Sequence, residues 1–207
     1  MKIIPKRIKK LRYLFYFFSL SLYASGGYDN GTSIGKGSIG LDLTWNPFNY
    51  WEKGQSYAVV SYGITQNLDI HGYYSIQTKG NDNFYLGIFY QFIRINYLDL
   101  ATAIGIRNYN PKFERHLFFP QLLYTINLTK KLKIGGSFVR IVNINNNYKT
   151  LGTTQDISLV IPIYRYKELN KKISSIDLAI GFFRPILWKP KSGSWHPTYS
   201  IDIKFLL

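Results

Sequence analysis

The chain has no cysteine. That excludes a disulfide framework, a Cys-ligated metal, a Cys nucleophile and an N-terminal lipoprotein Cys. Acids are scarce, with 11 Asp and Glu against 26 Lys and Arg in 207 residues. Charged residues make up 18% of the chain, below the about 25% of an ordinary soluble domain. The three histidines, His71, His116 and His196, lack metal-ligand spacing, so neither a metal nor a cofactor is expected. There is no G-x-S-x-G, P-loop or dinucleotide fingerprint, and no residue is assigned as catalytic. A mean hydropathy of −0.11 excludes a bundle of membrane helices.

Aromatics are plentiful at 17%, with 18 Tyr, 14 Phe and 4 Trp. The formal net charge is +15, which invites a nucleic-acid reading. Its placement argues otherwise. Lys2, Lys6, Arg7, Lys9, Lys10 and Arg12 crowd the first dozen positions with no acid among them. The remaining bases are spread over turns and loops and form no single run, so no nucleic-acid partner is expected. Basic loops of this kind fit either plain solvation or pairing with phosphates of surface lipid.

Behind the basic residues, 11–24 (LRYLFYFFSLSLYA) form an apolar stretch. It is shorter than the about 20 residues of a transmembrane helix. Ala24, Ser25 and Gly26 then offer small residues for cleavage. This is the pattern of a signal peptide over 1–26, with an uncleaved anchor as the alternative. The Gly-rich stretch 27–37 reads as a flexible lead-in, which either hangs free or folds into a barrel as a partial plug. The folded unit is then 38–207.

From residue 38 onward a period of two dominates. Ile39, Leu41, Leu43 and Trp45 alternate with Ser38, Gly40, Asp42 and Thr44. Leu68, Ile70, Gly72, Tyr74 and Ile76 alternate with Asp69, His71, Tyr73, Ser75 and Gln77. Such stretches are half-apolar strands. Ten are expected, at about 38–46, 55–64, 68–77, 83–92, 98–107, 119–128, 132–142, 156–164, 174–184 and 198–206. Short turns alternate with longer polar segments at 47–54, 78–82, 108–118, 143–155 and 187–197, placing the long loops at one end. A hairpin plan recurs at 61–75 and 123–138. The expected fold is all-β: an up-and-down antiparallel transmembrane β-barrel of about ten strands.

Alternation alone fits a soluble barrel with an apolar interior equally well. Three features favour a membrane barrel. The polar face is rich in Ser, Gly, Thr, Asp, Tyr and Gln rather than the Lys and Glu of a soluble exterior. Strand lengths and alternating connections suit an outer-membrane barrel. Aromatics gather at strand ends: Trp45, Trp51, Trp188 and Trp195 near the long-loop rim with Phe118 and Phe119, and Tyr164 and Tyr166 at the turn end. The chain is therefore expected in the outer membrane, with membrane lipid as its partner and a small solute as a second. Nothing in the sequence specifies an oligomeric state.

On the inward face the charge candidates are Asp42, Asp69, His71, Asp99, Arg107, Lys133, Asp177, Asp202 and Lys204. Arg140 and Arg184 break the alternation and are placed at a rim. The inward set is either a structural ion-pair network or a charged constriction that sorts solutes, with an acidic belt toward the turn end. His116 and His196 fall in long loops, as solvated residues.

The stretches GKGSIGLDLTWNPF (35–48) and SYGITQNLDIHGYYS (61–75) resemble bacterial outer-membrane barrels of the transporter type associated with a phenol-degradation meta-pathway. The likeness covers about a third of the chain. It implies a membrane barrel and leaves the substrate open. Eight strands give an interior just filled by side chains and about 16 an open aqueous channel. A wide porin is thus not expected. Three classes remain: a narrow channel or transporter for small solutes, a structural or surface-interaction barrel acting through its long loops, and an envelope-modifying enzyme that would need one His.

Overall fold

A computed structural model describes residues 30–46, 55–77, 82–109, 114–165, 172–184 and 195–207. The expected signal peptide lies outside the described residues. Ten strands follow one another along the chain: β1 (Ser38–Asn46), β2 (Gln55–Gly63), β3 (Leu68–Gln77), β4 (Asp82–Ile95), β5 (Leu98–Tyr109), β6 (Glu114–Thr129), β7 (Leu132–Asn143), β8 (Lys149–Arg165), β9 (Ile173–Arg184) and β10 (His196–Leu206). Each pairs antiparallel with the next, and β10 pairs with β1 to close the barrel. The fold is the up-and-down barrel that the alternation implies.

The alternation also sets which face is which. Leu86, 67% exposed, points outward with Phe84, Ile88, Ile104, Ile106, Leu122, Leu159 and Phe182. Ser61, Asp69, His71, Ser75, Gln91, Asp99, Thr125, Ser137 and Ser158 are buried inside. The barrel is apolar outside and polar inside, the reverse of a soluble ligand-binding barrel.

The strands are longer on one flank than the sequence suggests. β1, β2 and β3 have 9 or 10 residues, whereas β4, β6 and β8 have 14, 16 and 17. The expected long loop at 143–155 is instead a short turn, and β8 begins at Lys149. The expected loop at 108–118 is shortened in the same way, because β6 begins at Glu114. The stretch KTLGTTQ (149–155) has one large apolar side chain, Leu151, so no apolar alternation marks it. Its backbone still continues the ladder, with Thr150 opposite Val142 and Thr153 opposite Arg140.

Several register shifts interrupt the ladder, and two of them reset the faces of lumen residues discussed below. In β4 the register with β5 shifts between Gln91 and Ile93. In β6 the register with β7 shifts between Phe118 and Gln121, around Pro120, which has no N–H for the ladder. A bulge adds one residue to one strand and so switches which parity faces inward. Above Pro120 the inward residues are His116 and Phe118; below it they are Gln121, Leu123 and Thr125.

Candidate functional site

The lumen is organised in two levels. Toward the long-connection end, rings from successive strands meet across the interior. Tyr57 lies edge-on to Tyr73 at 4.8 Å, Tyr73 stacks on Tyr85 at 4.8 Å, and Phe118 meets Tyr85 at 5.4 Å. Val139 and Ile141 complete this cluster. The Tyr85 ring lies flat on the wall because Gly87 and Gly105, cross-strand partners, carry no side chains. Its hydroxyl accepts from Gln121 at 3.1 Å and sits 3.2 Å from His71 Nε2. Arg107 lies 4.6 Å over the Phe118 ring and 3.5 Å from His116 Nδ1. Cation–π contact and hydrogen bonds tie this cation into the aromatic layer.

At the short-turn end the lumen holds the chain's own residues 30–37. The Gly31 N–H donates to Thr125 Oγ1 at 2.9 Å, and the Thr32 hydroxyl donates to Asp99 Oδ2 at 2.7 Å. The Ser33 N–H donates to Gln91 Oε1 at 3.0 Å, and the Ile34 N–H to Asp69 Oδ2 at 2.8 Å. Successive residues therefore meet β6, β5, β4 and β3 in turn. Neighbouring strands are about 4.8 Å apart, more than the rise per residue of extended chain. A segment lining the inside of a curved wall follows a shorter arc, so one residue per strand keeps step. The Ser33 hydroxyl donates to the Gln66 carbonyl at 2.5 Å, and Arg94 clamps the site by donating to Ser33 Oγ at 2.6 Å and Gln91 Oε1 at 2.5 Å.

Glycines give the segment room. A Cβ on Gly63 would stand 1.9 Å from the Gly35 carbonyl oxygen, and one on Gly40 would stand 2.9 Å from Ile34. A Cβ on Gly31 would stand 2.6 Å from the Asp99 carbonyl oxygen. Bonds of this type contribute about 1–2 kcal/mol each. Fixing a residue's backbone costs about the same, so the seat of the segment is shallow.

The segment fills one side of the lumen. On the other side a cavity of about 370 Å³ remains, lined by the segment and by β1, β2 and β6–β10. That is the low end of the volumes found for small-molecule sites. Asp42, Asp202 and Asp177 stand in one cross-strand row, Asp202 opposite both others. Like charges directly opposite repel. Partners offset this: the Thr44 hydroxyl donates to Asp42, Ser200 donates to Asp202 at 3.0 Å, and Arg165 pairs with Asp177 at 2.5 Å. Lys133 and Lys204 also line the cavity. The space thus offers charges of both signs.

The inward candidates divide between these levels. His71 and Arg107 belong to the aromatic layer, Asp69 and Asp99 hold the N-terminal segment, and Asp42, Lys133, Asp177, Asp202 and Lys204 line the cavity. Of the interface aromatics, Trp45 stacks on Tyr199 at 5.5 Å, and Trp195 and Tyr164 are exposed. Trp51, Trp188 and Tyr166 lie outside the described residues.

Three expectations are overturned. His116 and His196 are not loop residues: they lie on β6 and β10, 1% and 6% exposed. Strand ladders that run past the last apolar alternation carry them inward. Phe118, expected on the rim, is part of the internal cluster because the bulge at Pro120 reverses its face. Arg94, which the expected strands 83–92 and 98–107 leave in the short turn between them, lies on β4 and points inward because the bulge switches parity; its register partner is Asp99. Asp156, bonded by the Ser137 hydroxyl, was also missed, although its alternation with Ile157 and Leu159 marks it as inward. Among the described residues no group of His, Asp or Glu has the arrangement of a metal site.

No protein-family model matches the chain, and no curated protein matches it. The finer likeness to phenol meta-pathway barrels stays an expectation drawn from residues 35–48 and 61–75. Among solved structures the chain is similar to the KdgM porin, with a TM-score of 0.48 and 9% identity over 82% of this chain and 99% of that one. It is similar to the same porin in complex with disordered oligogalacturonate, at a TM-score of 0.49 and 9% identity over the same shares. The N-terminal β-barrel domain of Pseudomonas aeruginosa OprF gives a TM-score of 0.33 and 10% identity over 83% of this chain and 99% of that one. At such identities shared chemistry does not follow from shared shape.

Proposed function

We propose that the protein is an outer-membrane barrel that forms a narrow passage for small polar solutes, closed in this conformation. The apolar exterior supports the membrane placement, with lipid as the partner of that face and residues 1–26 as the export signal. The observation that carries the reading is the 370 Å³ cavity with Asp42, Asp177 and Asp202 on one wall and Lys133, Arg165 and Lys204 facing the same space. A lumen of mixed charge suits solutes that are themselves polar. The aromatic layer and residues 30–37 stand at either level of the same lumen, as closures.

A second reading is favoured by how full the lumen is. Ten strands carrying a ring cluster form a packed interior, and the work would then fall to the connections at the long end. An envelope-modifying enzyme is the least supported, since His116 and His196 are buried in the wall rather than set at an open rim.

The test is conductance of the detergent-purified chain in a planar bilayer under a salt gradient. Discrete steps with a reversal potential support the passage. Silence from a folded, inserted barrel, both unmodified and with its closures weakened, moves the function to the loops.

A further inference from the structure

We infer that Asp69, Gln91, Asp99 and Thr125, with the Gln66 carbonyl, form a peptide-binding strip inside the barrel, and that residues 30–36 are its releasable occupant. All five groups act as acceptors toward the segment: two N–H groups and a hydroxyl reach Asp69, Gln91 and Asp99, while a third N–H reaches Thr125 and the Ser33 hydroxyl reaches Gln66. The strip recognises backbone N–H and hydroxyl donors presented one per strand, and it does not read side-chain identity beyond the two hydroxyls.

Shape supplies the rest of the selectivity. Gly31 lies flush on the β5–β6 backbone, Ile34 rests on Gly40, and Gly35 crosses over Gly63 with a positive φ of 85°. Arg94 closes over Ser33 from the turn end. The segment borders the cavity through Asn30, Thr32, Ser33 and Ile34. When it leaves, the strip becomes a continuation of that cavity, lined by acceptors, and the short-turn half of the lumen opens. The seating does not depend on the passage reading. The statement that release admits solute does rest on it.

The absence of native cysteine allows direct reporters. Thr125 and Ser174 both line the cavity, but Thr125→Cys is buried beneath Gly31 and Thr32, whereas Ser174→Cys is partly exposed and makes no bond to the segment. Each is labelled with a charged, water-soluble methanethiosulfonate reagent in the full chain. Thr125→Cys is expected to react at least tenfold more slowly than Ser174→Cys. Ile34→Asp alters the segment and, averaged over a cationic and an anionic reagent to cancel its charge in the shared cavity, should raise the Thr125→Cys rate about tenfold with little change at Ser174→Cys. Gly63→Ala, which places a Cβ against the Gly35 carbonyl, should do the same from the wall side. A synthetic peptide of residues 30–37 added to either variant should slow labelling again.

Equal rates for the two reporters in the unmodified chain would overturn the proposal. So would rates unchanged by both Ile34→Asp and Gly63→Ala in barrels that migrate as folded on unheated gels. Faster labelling with no change in bilayer conductance would keep the strip and sink the passage. The double variant Thr32→Cys with Thr125→Cys, whose hydroxyls lie 3.0 Å apart, offers a lock. Oxidation should protect both thiols from the reagent, and a reductant should restore labelling, only if residue 32 seats over residue 125.

Discussion

The ring of Tyr85 occupies the space that a side chain on Gly105 would need: a Cβ there would stand 2.2 Å from the ring. The two residues lie on adjacent strands, and Gly105 pairs with Gly87. Two wall glycines thus let one tyrosine lie flat and carry its hydroxyl to Gln121 and His71. Gly105→Val should drive the ring off the wall and break the layer. The expected loss is about 1–3 kcal/mol, as for other overpacked interiors, read as a lower midpoint in urea with altered near-UV tyrosine dichroism. An unchanged midpoint and spectrum would show that the ring does not depend on the glycine.

Asp202 stands between Asp42 and Asp177. Directly opposed like charges destabilise a sheet by about 0.2–1 kcal/mol. Asp202→Asn should therefore stabilise the barrel slightly at neutral pH, and in the bilayer it should shift the reversal potential away from cations. A barrel destabilised by this change would mean that the Asp202 carboxylate is held by a positive charge as well as by the Ser200 hydroxyl.

Arg165 is the partner of Asp177, and their side chains are 43% and 19% exposed. An ion pair that wet contributes no more than about 1 kcal/mol. Arg165→Gln should hardly move the unfolding midpoint, whereas it should increase cation preference at low salt, an effect fading as salt is raised. Insensitivity to ionic strength would place Arg165 away from the ion path.

Among the described strand residues, Leu86 is the most exposed large apolar side chain. In a bilayer, Leu86→Lys should cost about 2–4 kcal/mol near the midplane. On a water-facing surface the same change would be within about 0.5 kcal/mol. Refolding titrations in lipid vesicles separate the two, and a neutral outcome would refute the membrane placement.

The strand count, the closure, the inward face and much of the charged lining could be read from period-two alternation. That signal exists wherever one face meets apolar surroundings and the other does not. It fails where apolar side chains are too few, as at Lys149–Gln155, where the ladder continues on backbone pairing with help from the Arg140–Thr150 side-chain bond. It also fails across bulges. Phe118 and Arg94 obey the period locally, but an extra residue flips the faces, and only the cross-strand register reveals it. A partial plug is one of two readings the sequence leaves open for residues 27–37, but the seat of 30–37 is not legible in it, for another reason. Its partners, Asp69, Gln91, Asp99 and Thr125, are spread over four strands, and no spacing in the sequence brings them together.

The unequal strand lengths also bear on how the molecule meets its surroundings. A tilted strand crosses the hydrocarbon in about 9–11 residues, and β8 has 17, roughly 20 Å of surplus at about 3.3 Å per residue. With β4 and β6 also long and β1–β3 short, the described wall is taller on one flank than on the other. A lipid slab of even thickness cannot match both flanks at once. In the membrane seat proposed above, the barrel therefore tilts or holds its longer flank out in water, so its setting has a direction.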